Sequence, residues 1–157
     1  MRMKRIAVVT LALFALLVTV AYAGWKTGKY KGHTKAQYCA KVVNGKCQKF
    51  RKGRLSFKVH KTYVNHTKFE LRLTCTDGRH VNESLSIKGQ LVLSNKGHFA
   101  GVAPTPGGTG QTKFSGRVKG KKAHGKLSRS ERLDDQNQED PNGTKCSAST
   151  KWTAKKS

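Results

Sequence analysis

Leu55-Ser56-Phe57-Lys58-Val59-His60, and after it Lys68-Phe69-Glu70-Leu71-Arg72-Leu73-Thr74-Cys75, are the runs whose reading decides the fold. In both, an apolar side chain alternates with a polar one, the period of a strand with one buried and one wet face. Working outward, further short strands fit residues 85–87, 90–93, 98–102, 112–119, 123–132 and 145–154, with Tyr30 in a first strand. Asp77-Gly78, Asn95-Lys96-Gly97 and Gly120-Lys121-Lys122 are compact turns between them. FSGRVKGKKAHGKL, residues 114–127, has the look of a hairpin. Two breaks are longer, a Pro/Gly loop at 103–110 and an acidic, polar loop at 134–143. About eight short strands at this spacing predict one all-β domain, an antiparallel meander forming a sandwich or an up-and-down barrel. Its expected core is Tyr30, Leu55, Phe57, Val59, Phe69, Leu71, Leu73, Leu85, Ile87, Leu91, Leu93, Phe99, Val102, Phe114, Val118, Leu127 and Trp152.

The first 23 residues read differently. Arg2, Lys4 and Arg5 precede an uncharged apolar run at 6–20, and Ala21-Tyr22-Ala23 is a small-residue cleavage site. Charged, apolar and cleavable in that order is a secretory signal. The run is shorter than the roughly 20 apolar residues of a membrane span. Residues 1–23 are therefore expected to be removed, leaving a secreted domain at 24–157 with no transmembrane anchor.

The 157-residue chain has 32 Lys and Arg against 8 Asp and Glu, a formal charge of +24. Loss of the leader leaves 29 cations against the same eight carboxylates, or +21. Small soluble domains work at a magnitude of about 2–8. Five of the eight carboxylates fall in residues 131–140, so the remaining surface is more basic still. The densest basic runs are residues 46–54 and 117–132. The candidate binding residues are Lys46, Lys49, Arg51, Lys52, Arg54, Arg117, Lys119, Lys121, Lys122, Lys126 and Arg129. Such a field draws polyanions. Outside a cell these are wall polymer, acidic glycan, anionic lipid and released nucleic acid. Specific nucleic-acid readout is poorly supported, because stacking platforms need exposed rings and only Trp25, Tyr38 and Tyr63 fall off the apolar phase of the strands.

Cys39, Cys47, Cys75 and Cys146 are an even set, and in an oxidising compartment two disulfides are expected. Four cysteines allow three pairings, of which Cys39–Cys47 with Cys75–Cys146 is the most economical. The spacings match no zinc pattern. A two-residue turn at Asn44-Gly45 would set Val42 opposite Cys47 and Cys39 opposite Phe50, so the short bridge calls for a wider loop.

Catalytic and metal motifs fail on inspection. Six histidines (His33, His60, His66, His80, His98 and His124) include no H-E-x-x-H, although His60 and His66 could meet across a hairpin. Asp135-x-Asn137-x-Glu139 starts like an EF-hand loop but has Asp140 at the glycine position and Cys146 at the final glutamate. That stretch reads as a solvated, mobile loop, or one that folds onto basic neighbours. GGTGQTK at 107–113 lacks the P-loop order, and there is no nucleophile elbow. Three sequons, at Asn65, Asn82 and Asn142, would be glycosylated only in a eukaryotic secretory pathway. The expectation is a non-enzymatic protein with no cofactor and no metal, associating electrostatically with an extracellular polyanion. The alternatives are a barrel with a small ligand in its lumen, and a secreted ribonuclease with Glu70 or Glu83 as base and His60, His66 or His98 as acid.

The chain also resembles a group of small secreted all-β proteins found mainly in actinobacteria. The resemblance runs from Gly28-Lys29-Tyr30-Lys31-Gly32 through Leu73-Thr74-Cys75-Thr76-Asp77-Gly78, Gly97-His98-Phe99, Phe114-Ser115-Gly116-Arg117-Val118 and Ala123-His124-Gly125-Lys126-Leu127. It ends at Cys146 and Trp152-Thr153-Ala154. It implies a structural role for these glycines and aromatics, and pairing of the two later cysteines, with the Cys39–Cys47 segment a local insertion. It carries no activity and no catalytic residues.

Overall fold

A computed structural model describes residues 24–157. The expected signal at 1–23 lies outside the described residues. The domain is all-β, with nine antiparallel strands: β1 (Gly28–Val43), β2 (Lys46–Val59), β3 (Tyr63–Cys75), β4 (His80–Ile87), β5 (Leu91–Val92), β6 (His98–Pro104), β7 (Gln111–Lys119), β8 (Lys122–Leu133) and β9 (Thr144–Lys156). Neighbours in the sheet run β4-β3-β2-β1-β9-β8-β7-β6, and short β5 also pairs with β3. This is a meander that curls into a barrel-like closure. At the seam, β5 is hydrogen-bonded to the start of β3, and the side chain of its Leu91 fills the space over Gly101 of β6.

The alternation read from the sequence is what fills the interior. Phe57 is the hub, with ring centroids 5.4 Å from Tyr30, 6.1 Å from Phe99, 6.1 Å from Phe114 and 5.6 Å from Trp152. Gly116 and Gly125 face each other across β7 and β8, and Trp152 lies beside Gly125 on β9. A Cβ at either glycine would run into the indole, so both are required by the close approach of Trp152. Val102 departs from the expected core. It is 62% exposed, because Phe99, Gly101 and Ala103 hold the inward phase of β6. Trp25, expected among exposed rings, packs partly buried against the core.

Midway along β1 and β2 the wall changes. β1 pairs with β9 only from Tyr30 to Thr34, and β2 pairs with β3 only from Leu55 to Val59. Beyond that the two strands leave as a paired arm. β3 and β9 then meet directly at Thr74↔Ser147 and Cys75↔Cys146, where the Cys75–Cys146 disulfide joins them. The arm's base leans on the outer face of the barrel. Asn82 of β4 donates to the Cys39 carbonyl and accepts from its N–H, and Arg72 of β3 lies 4.9 Å from the Phe50 ring centre.

The arm corrects one expectation. Asn44 and Gly45 do form the tight turn, both at positive φ (50° and 71°), and they do set Val42 opposite Cys47 and Cys39 opposite Phe50. The Cys39–Cys47 bridge is present all the same. No wider loop is needed, because register irregularities on both sides of Lys41 skew the ladder until the two Cα atoms are 5.7 Å apart.

The acidic segment 134–143 is a set of hydrogen-bonded turns. Asp134 accepts from the N–H groups of Gln136 and Gln138, and Arg79 donates to the Asp134 carbonyl. Glu139 accepts from Gly107 N–H and the Thr109 hydroxyl, fastening the Pro/Gly loop to this segment.

Candidate functional site

The outward phase of the strands carries the charge. Because the sheet order places β8, β9, β1, β2 and β3 side by side, outward residues line up in rows across the strands. One row runs Lys122↔Lys155↔Lys31↔Ser56↔Lys68↔Ser86. The next runs His124↔Thr153↔His33↔Arg54. Lys29 extends the set, opposite Lys58. Adjacent strands are about 4.8 Å apart, so the first row places four ammonium groups within about 20 Å. All of these residues except Ser86 and Lys58 line an open groove of about 1020 Å³ on the outer wall.

Three of these lysines sit next to one another with no carboxylate between them. Like charges directly opposite on neighbouring strands are destabilising. Among the described residues no ion pair involves Lys29, Lys31, Lys68, Lys122 or Lys155. The carboxylate at the groove's edge, Glu70, is already committed. It accepts from Arg51 at 2.5 and 2.9 Å, from the Arg54 side chain at 2.9 and 3.1 Å, and from the Arg54 N–H at 2.9 Å. The Arg51 hydrogen bonds, with those of Arg54, hold its pKa down to about 2 against the opposing effect of burial. Glu70 therefore pins the arm to the barrel through Arg51 and Arg54, and the groove's lysines are left to solvent.

The structure distributes the eleven expected binding residues over several places. Arg54 and Lys122 line the groove. Lys46, Lys49, Arg51 and Lys52 belong to the arm. Arg117 and Lys126 face a second, shallower depression of about 640 Å³ over β6–β8. Lys119 ends β7 and Lys121 lies in the β7–β8 turn. Arg129 is a correction: it points into the barrel and is 6% exposed. Its Nε lies 2.6 Å from Glu83 and 3.1 Å from Glu131, its Nη2 is 2.6 Å from Glu131, and its Nη1 donates to Thr112 at 2.9 Å. The reason is phase. Leu127, Arg129, Glu131 and Leu133 all fall on the inward side of β8.

Two carboxyl groups thus share one buried guanidinium. Burial, and then a hydrogen bond with Glu131, push the Glu83 carboxyl up to about 8, the Arg129 charge opposing. This environment favours the neutral, protonated form of Glu83. Glu83 and Glu70 are both engaged by arginine, one inside the barrel and one under the arm. His60 stacks on Tyr63 with ring centres 4.3 Å apart. Among the described residues no cluster of three or more His, Cys, Asp or Glu could hold a metal ion.

Lys29, Lys31, His33, Lys68, His124 and Lys155 of the groove were not singled out from sequence. They are dispersed over four strands, and their outward phase was visible but their adjacency was not. No protein-family model matches this chain, and no curated protein is similar to it.

Proposed function

We propose that this is a secreted, non-enzymatic domain that captures extracellular polyanions on its outer wall. The observation that carries the reading is the row of Lys122, Lys155, Lys31 and Lys68 in one groove, with no acidic partner. A ladder of like charges costs stability on its own and is relieved when a chain of anionic groups lies across the strands. The packed interior also favours the wall over the lumen, since the rings around Phe57 occupy the space a luminal ligand would need. Secretion is supported by the leader's pattern and by two disulfides, which persist in oxidising compartments.

The test is binding of the secreted form to heparin, a teichoic-acid-like polymer and single-stranded DNA across a salt series. The wild type should bind with a steep salt slope, and K31Q/K68Q/K155Q should flatten that slope by about two to three ions. Weak binding at low salt, or a triple variant with the wild-type slope, would reject the groove as the site. Incubation with RNA in parallel should leave the polymer intact.

A further inference from the structure

The outer end of the β1–β2 arm takes no part in the groove, and its chemistry is of another kind. Every residue from Ala40 to Lys46 is exposed. Val42 and Val43 are 56% and 41% exposed and are consecutive in an extended strand, so they point to opposite faces of the tip. With Phe50 at 44%, the arm holds three of the five large hydrophobics exposed among the described residues. Lys41 and Lys49 face each other just behind the valines, and Lys46 lies opposite Val43. Residues 35–54 contain seven Lys and Arg and no carboxylate. Glu70, which reaches the arm from β3, bonds Arg51 and Arg54 near its base and neutralises nothing at the tip. The tight turn and the Cys39–Cys47 bridge hold the tip in one shape, so little ordering remains to be done on binding.

We propose that this tip docks on an anionic lipid bilayer. Val42 and Val43 enter the boundary between headgroups and acyl chains, and Lys41, Lys46 and Lys49 sit among the lipid phosphates. Apolar side chains on both faces suit a medium that surrounds the tip, whereas a protein surface would cover one face. A soluble polyanion has no use for exposed valines. Shallow apolar insertion ringed by cations is the balance of forces that holds peripheral segments on anionic membranes. The proposal stands independently of the groove.

The test uses the secreted form with both disulfides intact. Its binding is measured by co-sedimentation with vesicles of equal parts phosphatidylglycerol and phosphatidylcholine, and with phosphatidylcholine alone. The wild type should bind the anionic vesicles and not the neutral ones. V42S/V43S should lose about tenfold in affinity while keeping its affinity for heparin, which shows that it is folded. K41Q/K46Q/K49Q should lose about a hundredfold. V43W should show a blue-shifted emission on anionic vesicles, and so should V43W placed in the K31Q/K68Q/K155Q background. The proposal is overturned if the wild type ignores phosphatidylglycerol vesicles, if V42S/V43S binds them as tightly as the wild type, or if V43W emission does not move. Failure of the groove reading would show in the heparin series instead, with the vesicle series unchanged.

Discussion

Glu83 and Glu70 show how one residue type is driven to opposite ends of its range. Glu70 accepts from two guanidinium groups and a backbone N–H, and its pKa is held at about 2. Glu83 is partly buried beside a second carboxyl and is raised to about 8. The linkage signs differ accordingly. Glu70 stabilises the fold above its unfolded pKa of about 4.3, and this is lost as pH falls toward 2. Glu83 binds a proton in the folded state that the unfolded chain has released, so its contribution declines as pH rises from about 4.3 to 8. Glu83→Gln should therefore flatten the fall in melting temperature over that interval and leave the variant more stable than wild type at pH 8. An unchanged pH profile in calorimetry would mean that Glu83 is ionised in the fold. Arg129→Met should cost about 3–5 kcal/mol at neutral pH, because it leaves the Glu131 carboxylate buried without its partner. The signal for this triad was present in the sequence. The phase that carries Leu127 and Leu133 inward also carries Arg129 and Glu131, but a cluster of basic residues reads as surface unless phase is given precedence over charge.

Among the elements, the strands were legible almost throughout, and the β1–β2 arm was not. Alternation and turn chemistry report on a strand and its next neighbour. The departure of two paired strands from the wall depends on which strands remain to close the gap, here β3 and β9. The two disulfides consequently do different jobs. Cys75–Cys146 ties strands distant in sequence at the point of closure, and on the chain-entropy model contributes about 4 kcal/mol. Cys39–Cys47 closes a short loop within a hairpin already in register, for about 2.5 kcal/mol. Replacing the first pair with serine or alanine should lower the melting temperature more than replacing the second. An equal or reversed order in thermal unfolding would show that the arm's docking on β3 and β4 carries more of the stability than the closure does.

For the whole molecule, the outer wall sets the cost of like charges against the polyanion binding proposed for it. Lys122, Lys155 and Lys31 repel one another across β8, β9 and β1. K31Q/K155Q should raise the melting temperature at low salt, by about 1 kcal/mol equivalent, and the gain should fade as salt screens the wild type. A variant less stable than wild type at low salt would argue that these lysine stems matter more for packing than their charges do for repulsion.

What the sequence by itself determined was everything that depends on local order along the chain. This covers the all-β class, most strand and turn positions outside residues 31–54, most of the core, and the size of the net charge, because period-two alternation and turn residues act over a few residues only. The choice of barrel-like closure over a sandwich, the extrusion of the arm, the burial of Arg129 between two glutamates and the assembly of dispersed lysines into one groove were decided only by tertiary structure. Each of these depends on which strands lie side by side, and that is set by long-range packing and closure.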